Sequence, residues 1–307
     1  MTVDLYFGTS PRIERLLDRC ARYARTRHPI LIVGERGTGK SVLAERIHRE
    51  SGRPGEFICK HLHSFGAELD YDSLAGHVRG AYTDAIKSRK GLVETAHRGT
   101  LFLDELGAAS PGVQELLIEL VDHGGLRRLG EDRHRPVDVR LVTATNEDLR
   151  SKCESGVFRA DLRDRLGFMK LEIPPLRERR DEIPQLAESF LRKAAAERAC
   201  PAMLRMSTAA MDALCSADWP GNIRDLKGVC LVAEALARPR EVIELGDLPP
   251  DFMAPMGTIL RQRHDESVEG MLDRALQEAG GNWSKAARLL GVSRATLYRL
   301  RTGPVEK

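Results

Sequence analysis

The chain has 307 residues, with 48 lysines and arginines against 45 aspartates and glutamates, and a formal net charge of +3. Its 42% apolar content and the lack of any sustained period exclude collagen, coiled-coil and low-complexity proteins. The longest aliphatic run, Ile30–Val33, is too short to cross a bilayer, and six scattered cysteines without a C-x-x-C pair exclude a disulfide frame. We therefore expect a cytoplasmic protein without a membrane segment.

The first 175 residues alternate short apolar runs with amphipathic stretches. Four apolar runs predict strands, at 29–33, 100–103, 137–143 and 168–173. Helical patterns run from 38 to 50 and follow Ser110-Pro111, a favourable N-cap and first-turn pair. Continuous apolar strands that alternate with helices predict an α/β fold with a parallel sheet covered on both faces.

Pro174-Pro175 ends this alternation, and the pattern becomes helical from 181 to 237. Residues 249–266 contain three prolines and no clear period, which predicts a linker. Short helical patterns follow from residue 267 onward. The sequence thus predicts an α/β subdomain at 1–175 and a helical subdomain at 176–248. A linker at 249–266 and a small helical domain at 267–307 follow.

The segment GERGTGKS at 34–41 fits the P-loop pattern G-x-x-x-x-G-K-[ST] between a predicted strand and a predicted helix. Glycines allow the backbone to approach phosphates closely, and the helix N-terminus directs N–H groups at them. The lysine supplies positive charge, and the serine hydroxyl is a ligand for magnesium. The segment therefore predicts a site for ATP and Mg²⁺, formed by Gly34, Glu35, Gly37, Thr38, Gly39, Lys40 and Ser41.

A second apolar strand ends in two acidic residues, in the segment GTLFLDEL at 99–106. Asp104 is predicted to hold Mg²⁺, and Glu105 to polarise the attacking water. Adjacent carboxylates combined with a P-loop indicate an ATPase rather than a protein that only binds ATP.

These motifs resemble the central AAA+ domain of sigma-54-dependent transcriptional activators, over about residues 6 to 250. Further segments match in that family's order: YFGTSP at 6–11, GHVRGAYTDA at 76–85, RLVTATNEDL at 140–149, FRADLRDRL at 158–166, IPPLRER at 173–179 and WPGNIRDL at 219–226. The resemblance implies a P-loop parallel sheet with a helical lid. It also implies a homo-oligomeric ring, typically a hexamer.

The resemblance implies that Asn146 is the sensor I residue and that Arg224 is the sensor II residue. It also implies that Arg159 and Arg165 are arginine fingers. An arginine from a neighbouring subunit makes phosphate cleavage depend on assembly. On one straight helix the two fingers would point about 120° apart, so either a break separates them or their roles differ. Ion pairs with Asp161 and Asp164 on a solvated face are the alternative. For Arg224, which follows a predicted N-cap at Asn222, the alternative is a surface position.

In this family a loop engages sigma-54 as ATP turns over, and it corresponds here to Gly80, Ala81, Tyr82, Thr83, Asp84 and Ala85. Tyr82 replaces the usual phenylalanine and keeps the ring. Asp84 replaces a glycine, which removes backbone freedom and adds a negative charge. We expect the contact with sigma-54 to be retained.

The segment FICKHLH at 57–63 carries another departure from the family pattern. The family usually has, at His61, an asparagine that restrains the catalytic glutamate, and we expect His61 to hydrogen-bond Glu105 instead. Cys59, His61 and His63 alternate on one strand face, so a metal site is the alternative. Ser41 also stands where the family often has an acid.

Segment 267–307 resembles a Fis-type helix-turn-helix, with AARLLGVSRATLYRL at 286–300 as its core. From 283 to 301 there are five basic residues and no acid. The last helix would present basic and polar side chains to a major groove. The predicted contacts with double-stranded DNA are Lys285, Ser293, Arg294, Thr296, Tyr298 and Arg299. A lid helix with solvated arginines is the alternative.

The resemblance implies an ATP-hydrolysing activator that binds upstream DNA and remodels the closed complex of sigma-54 RNA polymerase through residues 80–85. The alternative is an AAA+ DNA-binding regulator that acts without sigma-54, and Asp84 and His61 favour it. A loader of another DNA machine is a third option. Because the match begins within ten residues of Met1, we expect regulation in trans, by a partner protein or by controlled synthesis.

Overall fold

The structure is a computed structural model that describes residues 7–8, 10–62, 67–82, 85–197, 204–237 and 240–249. The chain divides into two compact units, 1–248 and 249–307, and all described residues except Pro249 belong to the first. No helix in these described ranges is long and apolar enough to span a bilayer. The predicted DNA-contacting residues lie outside them, and the predicted domain boundaries stay predictions.

The described residues form ten α-helices and eleven strands. The helices are α1 Pro11–Ala24, α2 Lys40–Ser51, α3 Ala67–Ala75, α4 Leu92–Thr95, α5 Pro111–His123, α6 Leu149–Glu154, α7 Ala160–Gly167, α8 Ile183–Glu197, α9 Thr208–Ser216 and α10 Asn222–Ala237. The strands are β1 Ile30–Val33, β2 Phe57–His61, β3 Gly76–His77, β4 Arg89–Lys90, β5 Thr100–Asp104, β6 Gly125–Leu126, β7 Arg135–Pro136, β8 Arg140–Thr145, β9 Lys170–Glu172, β10 Arg205–Met206 and β11 Val242–Ile243.

Five strands form a parallel sheet in the order β2-β5-β8-β1-β9, which confirms the predicted fold class. Successive side chains of a strand point to opposite faces, and here both faces are covered. Leu101 packs into a core cluster with α5, whereas Phe102 joins the cluster on the other face with α1 and α2. Strands β8 and β9 are shorter than the predicted strands 137–143 and 168–173, and they begin at Arg140 and Lys170.

The helix starts follow local side-chain chemistry. Ser10 and Ser110 each precede a proline, and their hydroxyls accept the amide hydrogens of Ile13 and Val113. Helix α2 begins at Lys40, two residues later than predicted, because Gly39 is left-handed at φ 104°. This glycine turns the chain from the P-loop into the helix.

A buried carboxylate joins the helical subdomain to the sheet. Glu182 is 2% exposed, accepts the Gly8 amide hydrogen at 3.0 Å and also accepts from the Ser10 hydroxyl. Its Oε2 lies 3.4 Å from Nη1 of the buried Arg179, which donates through Nη2 to the carbonyl of Thr38 in the P-loop. Glu182 and Arg179 of the helical subdomain therefore connect residues 8 and 10 with the P-loop.

Candidate active site

Three neighbouring strands of the sheet end at the same edge: β1 leads into the P-loop, β5 into Asp104 and Glu105, and β8 into Asn146. A cavity of about 450 Å³ lies at this edge, and α10 contributes to its wall. It brings together the predicted Gly37, Gly39, Lys40, Ser41, Asp104, Glu105, Asn146 and Arg224. Ligand sites at the carboxyl ends of parallel strands are the rule in open α/β sheets.

Other contacts within and next to the P-loop fix the conformation of its backbone. Thr38 donates through its hydroxyl to the carbonyl of Glu35 at 2.8 Å, and a Cβ on Gly34 would lie 2.9 Å from that hydroxyl oxygen. Gly37 is left-handed at φ 76°, and a Cβ there would lie 2.0 Å from the carbonyl oxygen of Gly221. The helical subdomain thus approaches the P-loop as closely as glycine permits.

Lys40 supplies the cation of the P-loop. Its Nζ donates to the carbonyls of Gly34 and Glu35 at 2.9 and 3.1 Å, and the residue is 7% exposed. Burial lowers the pKa of Lys40, whereas the charges of Asp104 and Glu105 oppose this effect. The ammonium group is therefore held at the cavity wall by neutral carbonyls, where an anionic ligand can reach it.

The two acidic residues after β5 differ in their surroundings. Asp104 is 13% exposed, and its Oδ1 accepts the amide hydrogen of Glu105 at 2.9 Å. Glu105 is 46% exposed and left-handed at φ 57°, a costly conformation for a non-glycine residue that is frequent at functional sites. The expected hydrogen bond from His61 to Glu105 is not formed: His61 Nδ1 lies 3.4 Å from Asp104 Oδ2, and Glu105 Oε1 lies 3.9 Å from Nη2 of Arg36.

The cavity also offers ligands suited to magnesium. The Ser41 hydroxyl and the Asp104 carboxylate line it together, and hard oxygen atoms of this kind are the ligands that Mg²⁺ prefers. Among the described residues, no cluster of three His, Cys, Asp or Glu side chains could hold a metal ion. The alternative metal site includes His63, which lies outside the described residues.

Asn222 has a different role from the predicted N-cap. The residue is fully buried and left-handed at φ 56°, and its Oδ1 accepts the amide hydrogen of Leu176 at 2.7 Å. Its Nδ2 donates to Glu35 Oε2 at 3.1 Å and to the carbonyl of Arg36 at 2.9 Å. Glu35 also forms a bidentate ion pair with Arg177, which lowers the pKa of this carboxyl. Asn222 therefore connects the helical subdomain to the P-loop.

We expect Asn222→Ala to lower the free energy of unfolding by about 1 to 3 kcal/mol, because a buried amide hydrogen loses its acceptor. In Asn222→Gly, which accommodates positive φ, the loss should be smaller by about 1 kcal/mol. Urea unfolding measures both, and Val232→Ala on the exposed face of α10 is the matched control. A glycine variant as stable as the wild type would show that the three hydrogen bonds contribute nothing.

The two predicted arginine fingers lie outside the cavity. Arg159 precedes α7 and pairs with Asp161 at 2.9 Å, as the surface alternative anticipated. Arg165 lies within α7 and pairs with Asp122 at 2.7 Å, whereas the alternative had named the carboxylates of Asp161 and Asp164. A helix start thus separates the two arginines, and their guanidinium groups have different partners.

Sequence analysis missed two cations of the cavity, Arg36 and Lys227. Arg36 occupies a variable position of the P-loop motif, so the motif itself says nothing about it. Lys227 follows Arg224 by three residues on α10, and this spacing places both on one helix face. The helical spacing could have revealed Lys227.

The loop predicted to contact sigma-54 is described at four of its six positions. The Gly80 amide donates to the Ala85 carbonyl at 2.9 Å, and the Ala85 amide donates to the Tyr82 carbonyl at 2.9 Å. Tyr82 is 44% exposed. Thr83 and Asp84 lie outside the described residues. In the described part of the loop, backbone hydrogen bonds therefore join Ala85 to Gly80 and Tyr82, and Tyr82 lies at the surface.

Three family models match consecutive parts of the chain. The sigma-54 interaction domain matches residues 6–172, the AAA+ ATPase lid domain matches 177–261, and the Fis family of bacterial regulatory proteins matches 269–301. The first match covers more than half of the chain and confirms the resemblance on which the sequence interpretation was based.

Similar proteins agree with this assignment. The chain is 38% identical over 311 residues to the Nif-specific regulatory protein of Azotobacter vinelandii, covering 97% of this chain and 59% of that protein. It is 37% identical over 298 residues to the transcriptional regulatory protein ZraR of Escherichia coli K12, covering 94% and 66%. The crystal structure of NtrX from Brucella abortus in complex with ATP matches with a TM-score of 0.71 at 28% identity, covering 96% of this chain and 68% of that one. The chain belongs to the family of sigma-54-dependent transcriptional regulators, with an AAA+ domain, its lid and a Fis-type DNA-binding helix-turn-helix.

Proposed function

We propose that this chain hydrolyses ATP and uses the cycle to remodel the closed complex of sigma-54 RNA polymerase. The observation that carries the proposal is the convergence of Lys40, Asp104, Glu105 and Arg224 on one cavity at the carboxyl edge of the sheet. A relative's structure is described as a complex with ATP, which supports the same ligand here. Lys40 and Arg224 would neutralise the phosphates, and Glu105 would orient the attacking water and accept its proton.

Ser41 and Asp104 would hold Mg²⁺ at this site. When bound, the ion supplies positive charge that offsets the charge developing on the phosphate oxygens. The Asp104 carboxylate is held by the Glu105 amide at Oδ1 and faces His61 at Oδ2, and each oxygen keeps a further lone pair for the ion. The neighbouring Glu105 stays exposed and free to contact water.

We further propose a homo-oligomeric ring, six copies by resemblance, in which Arg159 or Arg165 completes the site of a neighbour. Their position outside their own cavity supports an action in trans. Upstream double-stranded DNA would be bound by the predicted residues of the C-terminal helix-turn-helix, in the cytoplasm. The chain spans 59% of the length of the Azotobacter vinelandii relative that it matches.

In vitro transcription from a sigma-54 promoter held as a closed complex tests the proposal. We expect ATP-dependent promoter opening by the wild type and its loss in Tyr82→Ala and Thr83→Ala. Leu236→Ala, an exposed apolar residue on the lid helix α10, is the matched control and should open the promoter normally. ATP turnover without opening on any sigma-54 template would favour the alternative, a regulator that acts without sigma-54.

A further inference from the structure

The hairpin 76–90, which carries the proposed contact loop, is held together at its base. Strand β3 pairs with β4 in antiparallel register, and the amide of Arg79 donates to the hydroxyl of Ser88 at 3.1 Å. The amide of Val78 also donates to the carbonyl of Leu129 at 3.1 Å, which ties the first arm to a neighbouring segment. The loop therefore stands on an ordered base whose side chains can determine how it is presented.

His77 lies at the centre of this base. Its side chain is 9% exposed, and it does not line the nucleotide cavity. Nδ1 lies 2.6 Å from Oδ1 of Asp72 on α3, and Nε2 lies 3.0 Å from the carbonyl oxygen of Lys87 on the returning arm. The two ring nitrogens thus face oxygen atoms on opposite sides of the ring, one on α3 and one on the returning arm. Because both nitrogens of His77 have partners, the plane of its imidazole ring is fixed.

Asp72 extends the connection to the second arm. Its Oδ2 lies 3.7 Å from Nη1 of Arg89 in β4, and its side chain is 15% exposed. The carboxylate on α3 thus faces His77 from the first arm and Arg89 from the second. Helix α3 packs against α5, so the base of the hairpin is anchored to the core of the sheet domain.

The ring of Tyr82 rests on the imidazole of His77. The ring centroids are 5.1 Å apart and the planes meet at 69°, an edge-to-face arrangement that aromatic pairs favour. One part of Tyr82 is covered by His77, and the residue stays exposed at the surface. The orientation of His77 therefore decides which part of the tyrosine faces outward.

We propose that His77 is a positioning residue that braces both arms of the hairpin and presents Tyr82 to the partner protein. The inference rests on the proposed function for the identity of that partner. A buried polar side chain is costly unless its hydrogen bonds are made, and the three side-chain contacts given above lead to this hairpin or to the helix that anchors it. The imidazole supplies what an apolar residue of the same size could not, two opposed polar nitrogens and a flat aromatic surface.

Hydrogen–deuterium exchange of the full-length protein tests the bracing. In His77→Leu we expect the amides of 78–86 to exchange about tenfold faster or more, while the amides of α5 keep the wild-type rate. The rate of ATP hydrolysis should stay within about twofold of the wild type, whereas promoter opening should fall about tenfold or more, because the contact loop is misplaced. His28→Gln is the matched control, because His28 is an exposed histidine outside the hairpin 76–90.

A second variant keeps the test decisive if His77→Leu does not fold. Asp72→Asn retains the size of the partner side chain but lowers its strength as an acceptor, and we expect the same pattern at a smaller amplitude. Unchanged exchange over 78–86 in both variants, or exchange that rises equally in α5, would overturn the inference. Failure of the wild type to open any sigma-54 promoter would instead refute the proposed function, and the exchange comparison would still decide the role of His77.

Discussion

Replacing Glu105 with glutamine is expected to lower the rate of ATP hydrolysis by about 10²- to 10⁴-fold, because the amide cannot accept a proton from water. Nucleotide binding should be retained, since the carboxylate is 46% exposed at the cavity wall and Lys40 keeps its contacts with the P-loop carbonyls. Single-turnover hydrolysis and titration with a fluorescent ATP analogue separate the two quantities. The variant should also trap ATP in the cavity.

Glu154→Gln is the matched control for this prediction, because Glu154 is an exposed carboxylate whose partner is Arg150 on α6. It should hydrolyse ATP at the wild-type rate. Equal losses of binding and hydrolysis in Glu105→Gln would mean that the residue maintains the left-handed turn after β5 rather than acting on water.

The site elements that sequence analysis located share one property: each is a short contiguous pattern. The P-loop segment contains its own glycines, lysine and serine, and β5 ends in the two acids within a single run. Parallel pairing then brings these ends to one edge of the sheet, with only the end of β8 between them. Local patterns were sufficient because the fold class determines where strand ends meet.

Asn222 shows what local patterns miss. An asparagine before a helix predicts an N-cap, but this one is left-handed and directs its amide away from its own helix. Its partners, Leu176 and Glu35, lie 46 and 187 residues away along the chain. No sequence window contains such a contact, so only the packed lid reveals it.

His61 and Arg36 are a second example. The family pattern led us to expect His61 at Glu105, yet β2 pairs with β5 in a register that places His61 opposite Asp104. The carboxylate of Glu105 turns toward Arg36, a residue that the P-loop pattern leaves variable. Strand register and side-chain direction decide which of the two adjacent acids lies next to His61 and which lies next to Arg36, and the local sequence pattern does not reveal them.

The last prediction concerns Arg159 and Arg165, the two arginines that we propose to act on the nucleotide of a neighbouring subunit. Arg165 pairs with Asp122, and Arg159 pairs with Asp161, on a surface away from their own cavity. We expect Arg159→Ala and Arg165→Ala each to lower ATP hydrolysis by about 10³-fold or more without loss of nucleotide binding, because a finger supplied in trans acts only on the transition state.

Mixing subunits distinguishes action in trans from damage within one chain. In an equimolar mixture of Arg165→Ala and Glu105→Gln, an Arg165→Ala subunit keeps its own Glu105 and can receive Arg165 from a Glu105→Gln neighbour. Random assembly places about a quarter of the sites in this arrangement, so the mixture should recover about a quarter of the wild-type rate. Each variant alone should remain inactive. A mixture as inactive as its components would place Arg165 within its own subunit, where its ion pair with Asp122 would then be its whole role.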